Sequence, residues 1–222
     1  MIPLRDVIPS RTVPVITVTL IVLNAVAWFY EISLPERQLA VFLQHYGVVP
    51  ADFSPATLVT SMFLHGGWMH VIGNMWWLWI FGDNVEDRLG HGRFIVFYLL
   101  CGFAAAVGQM LIDPFSTLPT IGASGAIAGV MGAYFVLYPR SRVLTLVPIF
   151  FFIQLIEVPA VVLLGLWFGM QLLSAGTMAV AETAGSQGGI AFMAHVAGFA
   201  GGALGIFVFR KKQLDPWAGQ AY

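Results

Sequence analysis

The sequence predicts an all-α polytopic membrane protein, with six transmembrane helices in a single domain spanning residues 1–222. Three observations lead there. First, 59% of the residues are hydrophobic, only 9% are charged, and the mean hydropathy is +0.84. A soluble domain is about 45–50% apolar and about 25% charged, so this chain could not cover its own surface in water. Second, there are six charge-free stretches, Thr12 to Tyr30, Phe53 to Gly82, Phe94 to Ile112, Pro114 to Pro139, Val158 to Ala181 and Thr183 to Phe209. Each can hold the ~20 apolar residues of a bilayer-crossing helix. Third, nine of the ten Lys and Arg residues fall on the side that would carry both termini, leaving only Arg37 opposite. The positive-inside rule places that side in the cytoplasm.

Some stretches exceed one helix, so the expected spans are 12–30, 68–84, 94–112, 124–139, 158–175 and 190–209. The first has a basic flank (Arg5, Arg11) but lacks a small-residue cleavage site before Glu31, and reads as a retained span rather than a signal peptide. A net charge of −1 gives nucleic acid no purchase. The lone cysteine, Cys101, excludes an intrachain disulfide.

Ionisable groups inside spans cost roughly 2.5–3.5 kcal/mol on insertion scales and are functional candidates. His65, His70 and His195 stand in or beside the expected spans, with Asn74 and Ser124 as uncharged polar companions. His70 and Asn74 are four apart and share a helix face. The tryptophans around them suit an interfacial belt. Ser124 opens the fourth helix after Pro119 and Gly122, where a serine is ordinarily an N-cap, but where free first-turn amides could also receive an oxyanion. Gly125, Gly129 and Gly132 line one face of that helix, and Gly198, Gly202 and Gly205 line one face of the last. Small residues let helix backbones approach closely, which would bring Ser124 within reach of His195. Taken alone, either residue also admits a structural role.

At these residues the sequence resembles the rhomboid family of intramembrane serine proteases, in a six-span, prokaryotic-type form. The resemblance rests on His65-Gly-x-x-x-His70 followed by Asn74, on Gly122-Ala-Ser124-Gly125, and on Ala194-His195-x-x-Gly198-x-x-x-Gly202, in order on spans two, four and six. Gly82-Asp-Asn-Val-Glu-Asp87 adds to it. The resemblance implies a rhomboid-like bundle with a shallow, water-filled cavity open to the non-cytoplasmic side of the cell (plasma or inner) membrane. It implies Ser124 as nucleophile, His195 as general base and a dyad without a carboxylate, although Asp113 and Glu182 in flanking loops stay open as partners. His70 and Asn74 are implied as oxyanion-hole donors, with His65, Gly122, Gly125, Gly198 and Gly202 as structural support. Trp167 and Phe168 resemble lateral-gate residues (lipid contact being the plainer reading), and residues Gly176 to Gly189 resemble a cap. No cofactor or metal is implied.

The chain departs from some relatives at Ala128, where an aromatic can stack on the histidine, and at Gly73, where a bulky residue can precede the asparagine. The implied activity is endoproteolysis of single-span membrane proteins in or near their transmembrane segments. Two other readings are a rhomboid-like, non-proteolytic binder of membrane helices and a zinc site on the three histidines, which lacks a carboxylate or thiol to complete it. The sequence does not indicate the oligomeric state.

Overall fold

The computed structural model describes residues 1–149, 152–182 and 192–210. A short strand β1 (Ile2–Asp6) leads into α1 (Val15–Glu31), followed by the surface helices α2 (Glu36–Tyr46) and α3 (Thr57–Thr60). The long helices α4 (Trp68–Leu89), α5 (His91–Ile112) and α6 (Ser124–Leu137) come next. Strands β2 (Arg142–Ile149) and β3 (Phe152–Pro159) then precede α7 (Ala160–Glu182) and α8 (Phe192–Phe209). A long helix thus occupies each of the six apolar stretches. By length and apolarity together, α5 and α8 can cross a membrane, while α1, α6 and the first part of α7 are shorter apolar helices. Outward faces are apolar too: Leu111, Leu173, Leu204 and Val208 are each at least 70% exposed.

The fold is mostly helical, but the all-α expectation needs correction. Residues 142–159 are rich in β-branched and aromatic side chains, which favour strands. Strands β2 and β3 pair antiparallel, with Val143 opposite Val158 and Thr145 opposite Ile156. Strand β1 adds to the other edge of β2, giving the order β1-β2-β3. Val143, Thr145 and Val158 alternate onto one face and are buried there, so the pleat fixes which side of the sheet meets the bundle.

The second long helix also runs five residues past its expected end, to Leu89, and carries Asp83, Asn84, Glu86 and Asp87 in its last two turns. These residues remain helical because their partners lie at the chain's beginning. The Glu86 carboxylate accepts the backbone N–H groups of Ile16 (2.9 Å) and Thr17 (2.8 Å) and the Thr17 hydroxyl (2.7 Å). First-turn amides have no intrahelical acceptor and carry the positive end of the dipole, so an acid from α4 caps α1. Asp87 extends the arrangement by accepting the Arg11 and Thr12 amides at 2.6 and 3.0 Å.

Asp6 pins the sheet to the helices: its carboxylate accepts the Tyr134 hydroxyl at 2.8 Å and the Asn84 amide at 3.0 Å. Burial pushes its pKa from 3.8 up to about 6, with neighbouring Asp83 also raising it and the Tyr134 hydrogen bond opposing. A carboxyl whose pKa is raised on folding contributes stability that is present below its unfolded pKa and lost as pH rises through the folded one. Thermal unfolding is therefore expected to show stability falling between about pH 4 and pH 6, a trend that Asp6→Asn flattens.

Helix α7 runs to Glu182, so residues 176–182 of the expected cap are helical; positions 183–189 lie outside the described residues. The same holds for residues 190 and 191 of the last expected span.

At the core, α6 and α8 meet backbone to backbone. A Cβ placed on Gly198 would lie 2.1 Å from the Gly125 carbonyl oxygen, and one on Gly202 1.9 Å from that of Gly129. A Cβ on Gly125 or Gly129 would in turn strike Ala105 or Cys101 of α5, so three helices converge on this seam. Gly205 is turned away, toward Phe97 of α5.

Candidate active site

The approach of α6 to α8 decides the geometry of the site. Ser124 is the first residue of α6, and Ala123 occupies the cap position without a side-chain cap hydrogen bond. The serine hydroxyl is therefore not spent as an N-cap. Its Oγ lies 2.8 Å from Nε2 of His195, the fourth residue of α8, which is only 9% exposed. The other ring nitrogen, Nδ1, lies 2.9 Å from the side-chain oxygen of Gln171 on α7. The partner at Nδ1 is thus an amide, not Asp113. The Glu182 side chain lies outside the described residues.

Gln171 was not singled out by the motifs, yet it is the one amide within 158–175. A polar group alone in an apolar span was the signal that could have found it.

Trp167, one turn before Gln171, sets its ring centroid 5.8 Å from the His195 ring and 6.1 Å from Trp77. It supplies the aromatic neighbour that Ala128, fully buried on α6, does not. Phe168 stacks on Phe199 of α8 at 4.5 Å. Both side chains are half-buried against the bundle rather than in simple lipid contact.

Opposite the serine, His70 and Asn74 project from the first turns of α4. The Gly66 N–H donates to His70 Nδ1 at 3.3 Å. With that nitrogen an acceptor, a neutral imidazole carries its proton on Nε2. The backbone just ahead of Ser124 makes room for that donor. Gly122 adopts φ +120°, and a Cβ there would lie 2.7 Å from His70 Nε2 and 3.6 Å from Ser124 Oγ. The space left by the missing side chain is bordered by both atoms. Gly73, by contrast, faces open space.

His65 supports this arrangement from the loop before α4. Burial, aided by His70, pushes its pKa down to about 4, so the ring is neutral near pH 7. Its Nε2 lies 2.9 Å from Asn74 Nδ2 and can accept from that amide, fixing its orientation. The His65 backbone N–H in turn donates to Glu31 at 3.1 Å. Glu31, fully buried at the end of α1, is a second residue that the motifs left out. Its signal was an acid ending an apolar run.

A family model for the rhomboid domain matches residues 53–212. The chain belongs to the rhomboid family. Over 127 residues it is 32% identical to the rhomboid YdcA of Bacillus subtilis, covering 56% of this chain and 62% of that one. It is 31% identical over 112 residues to mitochondrial rhomboid protein 1 of Saccharomyces cerevisiae, covering 48% and 32% respectively. With the rhomboid protease GluP of Bacillus subtilis it shares 40% identity over 76 residues, covering 34% and 14%. The chain spans less than two thirds of the length of each of these relatives. Rhomboid proteins are membrane-embedded, which accounts for the apolar outer faces of the helices.

Proposed function

We propose that this rhomboid is an intramembrane serine endopeptidase that cuts single-span membrane proteins in or near their transmembrane segment, at a small residue. The observation that carries the proposal is the 2.8 Å approach of His195 Nε2 to Ser124 Oγ. A serine hydroxyl is a weak nucleophile until a positioned base removes its proton, and a neutral imidazole suits that task near pH 7. In this reading Ser124 Oγ attacks the scissile carbonyl carbon while its proton passes to His195 Nε2. The developing oxyanion enters the space beside Gly122, where His70 Nε2–H, an Asn74 N–H and the first-turn amides of α6 face it. His195 then protonates the leaving amine, and water, activated by the same imidazole, releases the acyl product.

The six long helices serve as six spans in this reading, with both termini cytoplasmic and α4, α6 and α8 all beginning at the non-cytoplasmic face. Ser124, His70 and His195 lie near those beginnings, so a shallow cavity on that side admits water to the dyad. Trp167 and Phe168 serve as the lateral gate, past which a locally unwound substrate enters from the bilayer of the cell membrane. No cofactor takes part.

Cleavage of a panel of single-span reporters tests the proposal. The wild type cuts at least one of them, and Ser124→Ala binds without cutting. Binding with no cleavage by the wild type would instead favour the non-proteolytic helix-binding role that some relatives have. Gly122→Ala gives a finer check, because its methyl group would occupy the oxyanion space. Loss of such stabilisation typically costs about 2.7–4 kcal/mol, so kcat should fall by about 10²- to 10³-fold with little change in KM.

A further inference from the structure

We infer that Gln171 is the positioning residue of the base, holding His195 in its reactive tautomer only while α7 is packed against α8. The inference builds on the proposed dyad and adds a group that the dyad motifs do not contain. Three side chains form one line: the Gln171 carbonyl oxygen lies 2.9 Å from Nδ1 of His195, and Nε2 of the same ring lies 2.8 Å from Ser124 Oγ. A neutral imidazole has one N–H. An amide oxygen at Nδ1 retains the proton there and leaves the Nε2 lone pair aimed at the serine hydroxyl. In the opposite tautomer, Nε2 would donate to Ser124 and could not accept its proton.

An amide performs this task without placing a second charge in an apolar helix, where a carboxylate is costly. It also gives less stabilisation to the imidazolium formed during the reaction than a carboxylate would, so its contribution is mainly orientation.

The position of Gln171 links the base to α7. Trp167 and Gln171 are four apart and share one helix face, so one covers the imidazole ring while the other holds its edge. The opposite side of the same turns is outward, with Leu166, Met170 and Leu173 at least half exposed. Helix α7 therefore stands at the border of the bundle while supplying both contacts to the base. Outward movement of this turn by about 1 Å stretches the Gln171 bond past the hydrogen-bonding range. A substrate that displaces α7 on the way in thus releases the tautomer lock, and the helix must return before the serine is activated.

The test uses full-length protein in detergent micelles with ¹⁵N-labelled histidine, the His195 signals being assigned by their loss in His195→Ala. The wild type should show a protonated Nδ1 and an unprotonated Nε2. Gln171→Leu should shift this population and lower kcat by about 10- to 100-fold, short of the ~10⁴ that follows loss of a correctly oriented triad carboxylate, with KM unchanged. Gln171→Asn, one methylene too short, should behave like the leucine variant even if the latter folds poorly. Gln171→Glu keeps the acceptor and should restore much of the rate. Unchanged nitrogen shifts and kcat in Gln171→Leu and Gln171→Asn would overturn the inference, as would equal losses in the leucine and glutamate variants with the tautomer intact. The nitrogen shifts need no turnover. A wild type that cleaves nothing would therefore sink the protease reading while the tautomer measurement still judged Gln171.

Discussion

Ser124→Ala is expected to abolish reporter cleavage, with kcat reduced by about 10⁴-fold or more, and His195→Ala to do nearly the same. The two residues act as one unit. Without the imidazole, the serine proton has no acceptor at 2.8 Å; without the hydroxyl, the imidazole has nothing to activate. The double variant should therefore be no worse than either single one, a non-additivity that kinetic measurement of all three proteins detects. Folding should be little disturbed, because Ser124 does not cap its helix and its hydroxyl can be lost without orphaning a helix amide. Additive losses would mean that the two side chains work separately.

The second large effect concerns the seam that brings the pair together. Gly202→Ala and Gly198→Ala should each destabilise the protein and remove activity. Their methyl groups would lie 1.9 and 2.1 Å from carbonyl oxygens of Gly129 and Gly125. Backbone oxygens cannot swing aside as a flexible side chain can, so α6 and α8 must part. Overpacking of this kind costs about 1–3 kcal/mol, and sometimes more. His195 is three residues before Gly198, so the same separation carries it away from Ser124. Gly73→Ala is the contrasting case. It meets nothing within 4 Å, and the gain in helix propensity over glycine is up to about 1 kcal/mol. A thermal unfolding series of the three variants should thus show two losses and one small gain.

The parts of the molecule that could be read from sequence are those governed by local composition or by small-residue spacing. Long charge-free runs located the six long helices, and glycines at near-helical intervals indicated that the serine and histidine helices could touch. The glycine pattern was less exact at Gly205, which the structure turns toward Phe97. What escaped was governed by partners distant in the chain. The charged segment Asp83 to Asp87 straddled the expected end of the second span; it stays helical because Glu86 caps α1, some 70 residues earlier. The strands β2 and β3 read as a connection between spans, since their pairing and the arrival of Ile2–Asp6 at the edge of β2 leave no short-range mark. At the site, the histidines, asparagine and serine stood out through recognisable motifs. Gln171 and Glu31 did not, because only the rotation of α7 and the end of α1 determine what they touch. Trp167 illustrates the same limit. Its place beside the imidazole compensates for Ala128, and that substitution between helices is invisible until they are packed.

The central claim, that Ser124 is a nucleophile activated by His195, is tested most directly by labelling with a fluorophosphonate probe followed by peptide mapping. The wild type should carry a single adduct on Ser124, His195→Ala should be labelled far more slowly, and Ser124→Ala should not be labelled at all. Undiminished labelling of Ser124→Ala, or an adduct mapped to another residue, would contradict the account.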